Sequence, residues 1–289
     1  PEPHELVNKV FTPIFDDQYR YYVLYGGRNS GKSFSVARRL IKQCLQENYF
    51  KCILIRNTFQ SVKDSNYQNI VDDIYTMGFS DLFKITKNPL EIVCKDNSNK
   101  FLCRGVDNPS RIRSIANPTA VWYEEASEIE HQETFLMIST SLRSTKTNKL
   151  QEYLTFNPEF SNVGGYEEHW LYKMFFKEHA PKKTFDGKIS IKLDNGKEMS
   201  SKYCVIHSTY KDNPYVTEQQ KADLENFKIL NSYYFQIFTK GNFGHKHVEG
   251  KFFKGFDQTV HVKKQKLNKD DILHVSFDEN NQPFPAFQI

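Results

Sequence analysis

Hydrophobic positions fall into two kinds of run that alternate through the first half of the chain. Tyr21-Tyr22-Val23-Leu24-Tyr25 and Lys51-Cys52-Ile53-Leu54-Ile55-Arg56 are short, nearly continuous apolar runs, the pattern of strands buried on both faces. Ala120-Val121-Trp122-Tyr123 and residues 150–156 repeat that pattern. Between them, residues 34–47, 61–77 and 131–142 carry apolar positions at three- and four-residue spacing, which predicts amphipathic helices. Residues 90–94 and 100–104 read as two strands joined by Lys95-Asp96-Asn97-Ser98-Asn99, a polar hairpin connection. The alternation predicts an α/β fold, with a mostly parallel sheet, helices on both faces and ligands at the carboxyl edge.

Beyond Asn157-Pro158 the alternation stops. Residues 166–176 predict a helix, Asp194-Asn195-Gly196-Lys197 a hairpin turn, 203–207 a strand and 217–238 a long helix ending near Gly241. This second part reads as a small subdomain laid against the first. Residues 251–271 are charged with few apolar anchors and read as a linker, and 272–278 as one more strand. No internal repeat or low-complexity tract interrupts the pattern.

Composition narrows the class. With 289 residues, 38% hydrophobic and 26% charged, the chain suits one large soluble domain or a domain with a small appendage. No apolar run is long enough to span a membrane, and Pro1-Glu2-Pro3-His4-Glu5 lacks the features of a signal peptide, so cytoplasmic residence is expected. Cys44, Cys52, Cys94, Cys103 and Cys204 are scattered without a C-x-x-C pair, which argues for small buried thiols rather than disulfides or a metal site. Cys94 and Cys103 could face each other across the hairpin. His245 and His247 have no partners at ligand spacing and read as a solvated loop. The net charge of +4 is compatible with DNA contact, while Lys182-Lys183 and Lys263-Lys264 are short enough for ordinary surface.

The candidate chemistry starts at Gly26-Gly27-Arg28-Asn29-Ser30-Gly31-Lys32-Ser33, set between the first strand and the first helix. This is the G-x-x-x-x-G-K-[ST] phosphate loop. Gly26 and Gly31 let backbone N–H groups wrap phosphate oxygens, Lys32 reaches the β- and γ-phosphates, Ser33 offers a hydroxyl to Mg²⁺, and the helix start faces the anion. Glu124-Glu125, ending a buried strand, supplies the two carboxylates that hydrolysis needs: Glu124 to hold Mg²⁺ through Ser33 or a water, Glu125 to orient and deprotonate the attacking water. Two solvated acids opening the next helix would give the same sequence. Asn157 stands at the same sheet edge with Thr155 two residues earlier, where an amide could sense the γ-phosphate; Asn-Pro is also a common turn opener. Arg28 could fold onto the γ-phosphate as an arginine finger, or face solvent. Arg104, Arg111, Arg113 and Arg143 are rivals that a neighbouring subunit could supply.

Taken together these residues resemble the large terminase subunit family of tailed bacteriophages, the packaging ATPase-nucleases. The resemblance runs along essentially the whole chain. Its anchors are YGGRNSGKS at 25–33, RNTFQSVKDS at 56–65, RGVDNPSRIRSI at 104–115, VWYEEASEI at 121–129, LTFNP at 154–158 and TYKDNPY at 209–215. KGNFG at 240–244 sits where the family carries a glycine-aromatic signature. The resemblance implies a P-loop NTPase of the ASCE (RecA-like) kind at 1–158, a lid subdomain at 159–250, a linker at 251–271 and the first strand of an RNase H-like nuclease at 272–289. It assigns phosphate binding to residues 26–33, the metal to Glu124, catalysis to Glu125 and coupling to Asn157. Asp278 in HVSFD would be one ligand of a two-metal nuclease; with the sequence ending at Ile289 the other acidic ligands are missing, so the expectation is an ATPase portion without nuclease activity. ATP and Mg²⁺ are the implied ligands, with two divalent metals for the nuclease of a full-length protein. Double-stranded DNA, a portal protein, a small terminase subunit and a homo-oligomeric ring are the implied partners, in the host cytoplasm. Two other functions fit the same loop: a helicase- or recombination-type ATPase, and an assembly module that binds nucleotide without hydrolysing it.

Overall fold

The nine strands of the central sheet are β1 (Tyr21–Gly26), β2 (Lys51–Arg56), β3 (Phe83–Lys87), β4 (Leu90–Cys94), β5 (Lys100–Gly105), β6 (Ala120–Glu124), β7 (Gln151–Phe156), β8 (Phe185–Lys192) and β9 (Glu198–Ser208). In the computed structural model they lie in the order β3-β4-β5-β2-β6-β7-β1-β9-β8. The structure describes residues 3–107, 109–160, 165–180, 182–192, 194–244, 276–278 and 286–288. From β5 through β9 the neighbours pair in parallel, whereas β3, β4 and β8 are antiparallel additions at the two ends.

Period-two alternation divides the side chains of the parallel strands between two cores. Tyr22, Leu24, Cys52, Leu54, Trp122 and Tyr153 face one side, against the helices Lys32–Gln46 and Gln68–Thr76. Val23, Tyr25, Ile53, Ile55, Tyr123 and Leu154 face the other, against Gln132–Ser139 and Trp170–Phe175. Both faces are covered, as the continuous apolar runs require. Among the described residues no helix is long and apolar enough to cross a membrane.

Several sequence expectations need correction. The strand expected at 203–207 in a separate subdomain is part of β9, which pairs with β1 from Tyr21↔Tyr203 to Gly26↔Ser208. Its buried residues Tyr203, Cys204, Val205 and Ile206 complete the sheet beside the phosphate loop. The expected helix at 217–238 stops at Leu230, because the Asn231 side chain accepts from the Tyr234 N–H and caps a new short helix, Ser232–Tyr234. The expected helix at 61–77 is interrupted by a π turn, Lys63–Tyr67. Cys94 and Cys103 do not face each other: the β4–β5 register places Val93 opposite Lys100 and Glu91 opposite Leu102. All five cysteines are free and buried.

A second compact unit spans 247–289. It contains a two-stranded antiparallel ribbon, Ser276–Asp278 with Ala286–Gln288. The expected linker at 251–271, the first part of the expected strand at 272–278, His245, His247 and Lys263-Lys264 lie outside the described residues.

Candidate active site

The order β6-β7-β1 brings three carboxyl ends together. β1 delivers the loop and the helix Lys32–Gln46, β6 delivers Glu124-Glu125, and β7, inserted between them, delivers Thr155 and Asn157. A cleft of about 450 Å³ opens at this edge, lined by Arg28 to Phe34, Glu124, Glu125, Thr155, Phe156 and Asn157. The residues singled out in the loop and at the two strand ends thus meet at one place. Asp278 ends the first strand of the separate ribbon.

A chain of hydrogen bonds fixes the floor of the cleft. Ser33 Oγ donates to Glu124 Oε1 at 2.6 Å, and the Thr155 hydroxyl donates to Glu124 Oε2. Behind it, Trp122 Nε1 donates to Thr155 Oγ1 at 2.8 Å. Burial raises the Glu124 pKa to about 7, the neighbouring Glu125 adds to the rise, and Ser33, Thr155 and Lys32 oppose it. Glu125 leaves the strand with φ 51°, a left-handed conformation that turns its side chain away from the line of β6. Burial raises its pKa as well, while Lys32 and Arg56 pull it down.

Lys32 lies beneath the loop. Its ammonium donates to the carbonyls of Gly27 at 2.8 Å and Gly26 at 3.3 Å and to Ser30 Oγ at 3.3 Å. Burial lowers its pKa to about 8 against the pull of Glu125 and Glu124. Asn157 Nδ2 donates to Gly26 O at 2.7 Å, so β7 grips the loop on one side and Glu124 on the other. The Ser33 hydroxyl and Glu124 carboxylate are hard oxygen donors side by side at the loop helix, a set that suits Mg²⁺.

The glycine at the start of the loop also answers a requirement within the fold, beside the phosphate approach expected. Gly26 has φ +146°, and a Cβ there would stand 1.9 Å from the Ser208 carbonyl oxygen of β9. The neighbouring strand by itself leaves no room for a side chain there. Gly241, at φ +62°, is the counterpart: a Cβ there would lie 2.5 Å from Gly27 N. Gly27 N donates to Ser208 O at 2.9 Å and Arg28 N to Phe238 O at 2.8 Å. The Arg28 guanidinium lies over the Phe238 ring, 3.6 Å from its centroid, on the wall of the cleft. Asn213 Nδ2 reaches Asn29 O at 2.8 Å. Residues from 208 to 241 therefore clasp the loop, and of these only the conspicuous Gly241 in KGNFG and the NP pair at Asn213 carried a sequence signal. The rival arginines stand away from the cleft lining: Arg111, Arg113 and Arg143 are exposed, and Arg104 Nη1 donates to the Cys103 carbonyl at 2.6 Å.

The profile of the phage terminase large subunit family matches residues 18–242. The PBSX phage terminase large subunit of Bacillus subtilis (strain 168) is 27% identical over 251 residues, covering 83% of this chain and 54% of that protein. The terminase large subunit of Bacillus phage SPP1 is 26% identical over 233 residues, covering 79% of this chain and 50% of that protein. The chain spans about half the length of these curated relatives. In fold it is similar to the large terminase of a thermophilic bacteriophage, with TM-score 0.59, 15% identity and coverage of 98% of this chain and 63% of that one. The Thermus phage P74-26 large terminase ATPase domain gives TM-score 0.57 at 14% identity, covering 82% of this chain and 94% of that domain. The first of these two proteins has also been solved in complex with ADP and with ATP-gamma-S. With the family profile matched along most of its length, this chain belongs to the phage terminase large subunit family.

Proposed function

We propose that this chain is the ATP-hydrolysing motor portion of a packaging terminase, which drives double-stranded DNA into a procapsid. The observation that carries the reading is the Ser33–Glu124–Thr155 hydrogen-bond chain at the mouth of a phosphate loop, with Glu125 next to it in the same cleft. The nucleotide complexes of the thermophilic bacteriophage terminase support ATP as the ligand.

In this reading the loop from Gly26 to Ser33 binds the triphosphate through its backbone, and the Lys32 ammonium neutralises charge at the β- and γ-phosphates. Ser33 and Glu124 would hold Mg²⁺, which would supply neutralisation of phosphate charge. Glu125 orients the attacking water and takes its proton; burial raises its pKa and so makes its carboxylate a stronger base. Arg28 stabilises the charge developing at the γ-phosphate, having left the Phe238 face to do so. Asn157, bonded to Gly26 O, links the state of the cleft to the loop. Within residues 159–250, the stretch from 209 to 241 forms the lid that clasps the loop, while β8 and β9 belong to the central sheet. Asp278 belongs to the nuclease of a full-length protein, with two divalent metals. A homo-oligomeric ring, a portal protein and a small terminase subunit complete the machine in the host cytoplasm.

The test is hydrolysis and its response to DNA. Duplex DNA should stimulate ATP turnover without strand separation, and Lys32→Ala should lower nucleotide affinity on the order of 100-fold, the worth of a charge-assisted phosphate contact. Undiminished nucleotide affinity in that variant would remove the phosphate-loop assignment, and strand separation would favour a helicase.

A further inference from the structure

The hairpin of β8 and β9 is longer than the sheet it joins. β9 pairs with β1 only from Tyr203 onward, and the Arg20 N–H donates to the Lys202 carbonyl at 2.9 Å just before it. Residues 198–201 of β9 and their β8 partners, Ile189 to Lys192, therefore run on past the first residue of β1. At ~3.3 Å per residue the overhang is about 13 Å. It leaves the sheet at the amino ends of the parallel strands, opposite the nucleotide cleft.

From the Lys188–Lys202 pair outward the hairpin is two-faced. Lys188 stands opposite Lys202, Ser190 opposite Ser200 and Lys192 opposite Glu198, so three lysines and two serines share one face with Glu198 and Asp186. Like charges directly across a strand pair are unfavourable; although Asp186 stands two residues from Lys188 and Lys202 Nζ donates to Gln18 Oε1 at 2.9 Å, the Lys188–Lys202 pair gains from an anion. Residues 182–202 hold six lysines against three acids, a net +3 of the whole chain's +4. None of those six lysines forms an ion pair among the described residues, although nine ion pairs occur elsewhere. Ile191 and Met199 face each other on the opposite side and are 61% and 55% exposed.

We infer that the lysine face of the β8–β9 ribbon is a contact surface for the phosphate backbone of duplex DNA. The inference rests on the motor reading for its ligand. Lysine ammonium groups and serine hydroxyls in a row suit phosphate oxygens without reading sequence, which is what translocation along any duplex requires.

Binding of a random-sequence duplex, measured against salt concentration, tests it. Lys188→Ser with Lys202→Ser should reduce the slope of log affinity against log salt by about 2 and weaken binding roughly tenfold or more near ~0.1 M salt. Lys188→Arg with Lys202→Arg should retain the wild-type slope. An unchanged slope in the serine variant overturns the inference, and so does a wild-type chain that turns over ATP yet binds no duplex. Loss of self-association or duplex binding in Ile191→Ser with Met199→Ser, with the lysine variants normal, would overturn it in favour of protein docking. ATP turnover of the wild-type chain, followed separately, shows whether the motor reading itself has failed.

Discussion

On one side of the cleft, Glu124 closes a hydrogen-bond chain through Ser33, Thr155 and Trp122 inside a sheet buried on both faces. On the other, the loop backbone is clasped by Ser208, Phe238 and Gly241, and the cluster behind Phe238 contains only Tyr210, Val216, Leu224, Ile237 and Phe238 as buried residues. Its neighbours Tyr215, Ile229 and Leu230 are 81%, 85% and 70% exposed. A region with little apolar burial opens at lower free energy than a core strand. The carboxylates are thus held where the protein is stiffest, and the clasp on the loop comes from the part with the least to lose by moving.

The contrast can be broken at its strong side first. Glu125→Ala should cut ATP turnover by about 10³-fold with nucleotide affinity nearly unchanged, as expected for loss of a general base. Single-turnover assays with labelled ATP would measure it, and parallel loss of affinity would mean that Glu125 holds nucleotide instead. Next, Gly26→Ala should destabilise the fold by about 4 kcal/mol, because it combines an unfavourable φ with a Cβ driven into the Ser208 carbonyl. A thermal midpoint within a degree of wild type would show that β9 yields at this point.

Charge sharpens the comparison. The Glu124 carboxyl titrates at about 7 when folded against 4.5 in its ordinary state, so the fold holds its proton more tightly than the unfolded chain does. The stability this proton contributes is full below pH 4.5 and lost as pH rises towards 7. Glu124→Gln should therefore match wild type at pH 4.5 and exceed it by up to about 3 kcal/mol above pH 7, while turnover is lost. Equal pH profiles from denaturant unfolding would contradict the burial of that charge. The smallest effect belongs to the clasp: the coupling between Arg28→Ala and Phe238→Leu in a double-mutant cycle should be about 1 kcal/mol. Arg28→Ala alone should also slow hydrolysis with binding largely kept, and normal turnover would assign the finger to an arginine in trans.

What the sequence disclosed follows the same division. Short apolar runs and a loop with fixed spacing made β1, β2, β6 and β7 legible, and with them Lys32, Ser33, Glu124, Glu125 and Asn157, because local patterning specifies both a buried strand and what ends it. Apart from Gly241 and Asn213, the clasp was illegible for a physical reason. Ser208 acts through its carbonyl, which carries no side-chain signature, and its approach to Gly26 depends on β9 joining the sheet more than 170 residues further along the chain. Strand β3 was missed because its two inward residues, Phe83 and Ile85, are too few to set a period. The break at Asn231 was hidden by helical spacing that continues through it, where one side chain competing for the backbone decided the outcome.

One consequence of β7 concerns length rather than composition. Thr155 meets Glu124 on one neighbour and Asn157 meets Gly26 on the other, while at the start of the same strand Glu152 receives hydrogen bonds from Tyr123 and Ser139 at 2.6 Å and pairs with Arg20. A single inserted or deleted residue between 152 and 157 would reverse which face each of these side chains occupies, and so detach the sheet from both the carboxylate and the loop at once. The turn at Asp194-Asn195-Gly196 has no such obligation. Insertions there should be accepted freely, lengthening the ribbon while the strand that measures out the site stays fixed in length.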